Sequence, residues 1–228
     1  MSKTTIPSGG LGGGLPSSLT VGSAAAEDTK VVFDGNAQDY HIGLDDSADD
    51  LVIGKGSALG TTAHIVTDEN GHVTMPLQSF VYASLSSDQT ITANDSDAKV
   101  TLDQELYDVN GDFNTSTNTF TAPVSGVYMV TAAWQFVEDL NSNITDVAMK
   151  LNASNGDEFV KFENPQALQV GSGSEYKYYA NGSKIIYMDA NDTMYLEIDA
   201  YSGGSHTFKL NGGANQRAET SMQVYLLG

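Results

Sequence analysis

Apolar and polar residues alternate with a period of two along most of this 228-residue chain, the signature of half-buried β-strands. Between residues 30 and 76 the alternating runs are short. "KVVF" stops at Asp34-Gly35-Asn36, "YHIGL" stops at a cluster of aspartates, and "DLVIG" runs into a Gly/Ser stretch. "AHIVTDENGHVTM" carries Asn70-Gly71 between alternating residues, a strong hairpin signal. Between residues 77 and 228 the pattern is denser. "QSFVYASLSS", "KVTLD", "NTFTAPV", "GVYMVTAAWQFV", "DVAMKLNAS", "DEFVKFEN", "KIIYMDA", "TMYLEIDAYSG", "HTFKLNG" and "SMQVYLLG" predict about ten strands, with turn residues every 8–12 positions. Helical periodicity is almost absent. The expected fold class is all-β, with an antiparallel sandwich or jelly roll at the C-terminal end.

Residues 1–29 break the pattern. Gly9, Gly10, Gly12, Gly13 and Gly14 lie close together between Pro7 and Pro16. Glycine is costly to order, so this stretch is expected as a flexible tail, or as an extended arm that orders on a partner. The strands of residues 30–76 are too short and sparse to enclose a core within one chain. They predict a β-structured shaft or neck in which three chains pool their apolar faces.

Charge narrows the partners. The formal net charge is −19, from 29 acidic and 10 basic residues. Such a surface repels phosphate backbones and anionic lipid, which argues against nucleic acid and membranes. It suits a protein that must stay soluble in salt. The chain has no cysteine, which excludes disulfides, thiolate metal sites and cysteine catalysis. No apolar run approaches the roughly 18 residues of a membrane span, and the N-terminus lacks the apolar core of a secretory signal. An extracellular role is then expected to come through lysis or incorporation into a particle.

Within the dense region, "KVTLDQELYDVNGDFNTSTNTFTAPVSGVYMV" holds Leu102, Asp108, Phe113, Phe120, Gly126 and Tyr128. Their spacing resembles the motif of the globular head of the C1q/TNF-like family. "NGSKIIYMDANDTMYLEIDAY", with its Asn191-Asp192 turn, and the terminal "MQVYLLG" resemble the family's late strands. Leu102 and Val130 stand where aromatic residues are usual, and Val224 where glycine often stands. The resemblance implies a jelly-roll head over residues 77–228 that packs as a compact homotrimer. Three chains at −19 each would carry −57 formal charges, so the acidic groups must lie outside or be matched by cations.

The segment "FDGNAQDYHIGLDDSADDLVIGKGSALGTTAHIVTDENGHVTM" resembles one in fibre and tail proteins of marine bacteriophages. "MSKTTIPSGGL" is similar to the virion-attachment end of such proteins. The implied plan is a trimeric bacteriophage fibre or spike: an arm (1–29) on other virion proteins, a shaft (30–76) and a head (77–228). The head would touch a host-surface glycan or protein. A decoration or cement protein and a polysaccharide depolymerase are the alternatives. Host-contact loops are expected in Asp139–Asn143 (Asp139, Asn141, Asn143), Asn164–Glu175 (Gln166, Gln169, Glu175) and Tyr201–His206 (Tyr201, His206), which are polar and rich in Gly and Ser.

Catalytic patterns are missing. There is no P-loop, GxSxG, HExxH or complete EF-hand. "DVNGD" at Asp108–Asp112 begins like a calcium loop but is expected as a hairpin turn. His41, His64, His72 and His206 do not pair at metal-ligand spacing. Asp45, Asp46, Asp49 and Asp50 are read as a polar turn between strands, or as a Ca²⁺ site shared between chains. No other cofactor is expected, and no enzymatic activity.

Overall fold

The computed structural model describes residues 20–93, 96–137, 144–156, 158–163, 177–202, 206–213 and 219–228, and every regular element among them is a β-strand. The chain forms two units, Met1–Leu77 and Gln78–Gly228.

The described part of the first unit is one antiparallel meander. Its strands β1 (Thr29–Phe33), β2 (Tyr40–Asp45), β3 (Asp50–Lys55), β4 (Ala63–Thr67) and β5 (Val73–Thr74) lie in chain order. Ile42 pairs with Ile53 and Leu44 with Leu51, Phe33 pairs with Tyr40, and Ile53 pairs with Ile65. Period-two alternation therefore gathers these side chains on one face. The opposite face carries His41, Gly43, Val52 and Gly54, all buried. His41 lies over Gly54, where a Cβ would come within 2.7 Å of its Nε2. The hairpin at Asn70-Gly71 forms as a five-residue loop between β4 and β5. The Asp68 carboxylate accepts the backbone N–H groups of Asn70 and His72 at 2.9 and 2.8 Å, while Gly71 takes φ +85°.

The second unit is built from two antiparallel sheets. One runs β9 (Gln104–Asp108), β6 (Phe80–Ser84), β18 (Ser221–Leu226), β12 (Gly126–Val137), β15 (Lys177–Met188). Strand β17 (His206–Leu210) continues the β18 edge of β12 and carries β7 (Gln89–Ala93). The other runs β10 (Phe113–Asn114), β11 (Thr119–Thr121), β16 (Thr193–Ser202), β13 (Ile144–Ala153), β14 (Glu158–Glu163), with β8 (Ser96–Lys99) also on β16. The chain crosses between sheets from β12 to β13, returns from β14 to β15, and crosses again from β15 to β16. This is jelly-roll connectivity. Alternate residues of β12 (Tyr128, Val130, Ala132, Trp134 and Phe136) meet Met149, Leu151, Leu196 and Ile198 from the other sheet in one core. Trp134, Phe136 and Phe208 add ring contacts at 4.8 and 5.0 Å.

Two sequence expectations are corrected. "DVNGD" does not close a hairpin: β9 pairs with β6, whereas β10 pairs with β11. The segment instead carries the chain from one sheet to the other. "KVTLD" is not a strand beyond Lys99. Its apolar residues Val100 and Leu102 are buried in an irregular segment, with the Val100 N–H bonded to the Leu196 carbonyl at 2.9 Å. Burial without a ladder reads the same as a strand in a hydrophobicity pattern.

Candidate functional site

The residues carrying the family resemblance hold the core and the inter-sheet connection. Leu102, Phe113, Phe120 and Tyr128 are buried. Phe120 and Tyr128 meet edge-on at 5.7 Å, and the Tyr128 hydroxyl donates to the Val124 carbonyl at 2.7 Å. The Asp108 carboxylate accepts the backbone N–H groups of Gly111, Asp112 and Phe113 at 3.0, 2.9 and 2.9 Å. That explains an Asp at this position, since the crossing needs a multidentate acceptor. At Gly126 a Cβ would stand 2.9 Å from Leu226 Cδ1 and 3.1 Å from the Gly228 carbonyl oxygen. Val130 and Val224, two of the three departures from the family pattern, pair directly and are both fully buried.

The aspartate cluster lies at the β2–β3 turn, where Asp45 pairs with Asp50. Asp45 Oδ1 accepts the Ser47 N–H and hydroxyl at 3.1 and 2.7 Å. The Asp46 N–H donates to Asp28 at 3.1 Å, and Asp49 adopts φ +57°. The bonds from Ser47 to Asp45 are those of an Asx turn. Among the described residues, no three His, Asp or Glu side chains stand together as metal ligands.

Of the loop residues, Asp139, Asn141, Asn143, Gln166, Gln169 and Glu175 lie outside the described residues. The strand ends flanking these loops are nevertheless placed. Val137 pairs with Lys177, Ile144 with Ser202 and Val147 with Glu163. The three connections therefore leave from one end of the sandwich. Tyr201 is exposed there and donates its hydroxyl to Asp199 at 3.0 Å, which raises its pKa. His206 begins β17 at the same end.

Sequence reasoning missed a buried charge cluster on the outward face of the second sheet. Lys150 Nζ lies 2.8 Å from Asp97, 3.5 Å from Glu197 and 3.7 Å from Asp199. The side chains of Lys150 and Glu197 are only 8% and 5% exposed. Asn152 donates to the other Glu197 oxygen at 3.2 Å. Burial raises the Glu197 pKa and the nearby Asp97 charge raises it further, against the pull of Asn152 and Lys150. Burial opposes the Lys150 charge, but Asp97, Asp199 and Glu197 outweigh it and hold its pKa above the usual lysine value. Beside them Lys99 stacks on the Tyr195 ring at 3.9 Å, and burial lowers its pKa. The sequence signal was a charge at alternate positions of apolar strands, in "VAMKL" and "LEIDA". The cluster is read as an ionic lock between β8, β13 and β16.

The outward face of the first sheet has the opposite character. Ile185 pairs with Met129, Met129 with Tyr225 and Tyr225 with Phe80. An apolar row thus crosses four strands, with Ile185 67% exposed. Phe80 contacts the rings of Tyr225 and Tyr107 at 4.8 and 6.1 Å. Tyr187 and Leu227 lie exposed nearby.

A family model described as "C1q domain" matches residues 82–214. No curated protein matches the chain. Among solved structures it is similar to the globular domain of the zebrafish complement 1qA protein, at 14% identity and TM-score 0.41 over 66% of this chain and 98% of that one. It is also similar to murine APRIL at pH 8.5 (9%, TM-score 0.45, 66% and 99% covered). A third similar structure is the Eiger TNF from S. frugiperda (11%, TM-score 0.44, 66% and 94% covered).

Proposed function

The chain belongs to the C1q domain family, and from that premise we propose that it is a homotrimeric bacteriophage fibre or spike protein that works by binding rather than catalysis. The observation that carries trimerisation is the row Ile185–Met129–Tyr225–Phe80 on the outer face of one sheet. A soluble monomer rarely leaves so continuous an apolar patch uncovered. Three copies closing a ring would cover it with a single type of contact. The gathering at one end of the sandwich of the strand ends that bound three polar segments supports a contact surface for a host glycan or protein. Residues 1–29 would attach to other virion proteins and residues 30–76 would form the shaft, as the likeness to phage fibre segments suggests. The working location is the assembled particle, outside the cell.

Light scattering is expected to give three times the 24.1 kDa chain mass, and Ile185→Asp is expected to give monomers. A monomeric native protein at micromolar concentration overturns the proposal. Binding to host cells or a glycan array should vanish when residues 139–143, 164–175 and 201–206 are scrambled in a protein that stays trimeric. Unchanged binding contradicts adhesion through these loops. Fragments released from host polysaccharide contradict the non-enzymatic reading.

A further inference from the structure

The β1–β5 sheet presents an uncovered apolar face. Val31, Phe33, Tyr40, Leu44, Leu51 and Ile53 are each more than a third exposed, and the register makes them neighbours across three strands. We propose that this face is a second self-association surface, closed by the same face of two further copies of the chain. The inference rests on the trimeric reading above and extends it to residues 29–74.

Three observations select a second copy over a foreign partner. First, size: at these exposures the six residues present on the order of 500 Å², toward the upper end of the largest patch on a typical monomer, a size that marks interaction sites. Second, chemistry: among the described strand residues in register on this face the one formal charge is Lys55, at its rim beside Tyr40, where the His64 ring also meets Tyr40 at 6.0 Å. Asp45, Asp50 and Lys30 fall on the alternate positions. A partner chosen by charge or hydrogen bonding finds little to read here. Copies of a chain at −19 approach most easily through a neutral surface. Third, connectivity: association through the C1q unit would hold three such faces at millimolar effective concentration. A single sheet exposed to water on its apolar face is marginal alone. A groove lined by Val21, Val31, Ile42, Leu44 and Leu51, with Lys30 also at its wall, offers room for a neighbour's side chain.

The chain has no cysteine, so single thiols report cleanly. Leu44→Cys and Ile53→Cys place one on the proposed interface. Val32→Cys, in register with His41, places one of similar exposure on the opposite face. Each full-length variant is first sized by light scattering and then treated with a maleimide. The inference expects a trimeric mass and labelling at position 44 or 53 roughly tenfold slower than at position 32. A trimeric mass with both interface thiols labelled as fast as position 32 overturns the inference and leaves trimerisation through the C1q unit standing. A monomeric mass overturns both.

Discussion

Asp108 accepts three backbone N–H groups where the chain passes between sheets. Asp108→Ala is expected to cost about 1.5–3 kcal/mol, the range for hydrogen bonds to a charged group. Asp108→Asn, which keeps one carbonyl acceptor, should recover part of it; urea unfolding measures both. Glu197 behaves differently. Burial raises its folded pKa above the ordinary glutamate value of 4.5, so the native state holds this proton more tightly than the unfolded chain. Its contribution to stability is fully present below pH 4.5 and is lost as pH rises through the raised value. Lys150, also raised, contributes up to the ordinary lysine range and loses its contribution only above it. Glu197→Gln is therefore expected to remove a fall in the urea midpoint as pH rises above the ordinary glutamate range. An unchanged slope contradicts the assignment. Neither role was legible in sequence. "DVNGD" scores as a turn whether or not its strands pair, and the burial of Glu197 depends on what covers the outward sheet face.

Strand β12 is the element on which the second unit is organised. It pairs with β15 along its whole length, and with β18 and β17 on its other edge. Its sequence "GVYMVTAAWQFV" announces this role as a nearly continuous apolar run of twelve residues, longer than the usual strand of about 5–6 residues. Its first residue, Gly126, is tied to the C-terminal strand by close approach. Gly126→Ala should push Leu226 and the Gly228 carbonyl outward and cost roughly 1–3 kcal/mol, the range for overpacking. Thermal melting compared with Gly126 protein checks the magnitude, and limited proteolysis of the C-terminal strand checks the place. The short strands were less legible. β8 pairs with a partner far away in sequence, so no local pattern marks it, and β10 is only two residues long, too short for alternation to show.

At the scale of the whole molecule, charge opposes assembly and apolar area favours it. Three chains at −19 each repel over distances that salt screens. The proposed trimer is expected to dissociate at higher concentration in about 20 mM salt than in about 500 mM salt. Analytical ultracentrifugation across that range tests this, and tighter association at low salt contradicts it.

The amino-acid sequence by itself determined the all-β class, because period-two alternation survives without tertiary context. It also determined the C1q-type head, because spaced aromatic, Asp and Gly residues mark positions where the jelly roll needs a filled core, a multidentate acceptor or no side chain. Tertiary structure alone decided which strands share a sheet, and so turned "DVNGD" from a hairpin into a crossing. It decided that Lys150, Glu197 and Asp199 are buried together rather than solvated. It also gathered Ile185, Met129, Tyr225 and Phe80 from four strands into one row. Each of these outcomes depends on register between segments far apart in the chain, and alternation within one strand says which face a residue takes but not what lies opposite it.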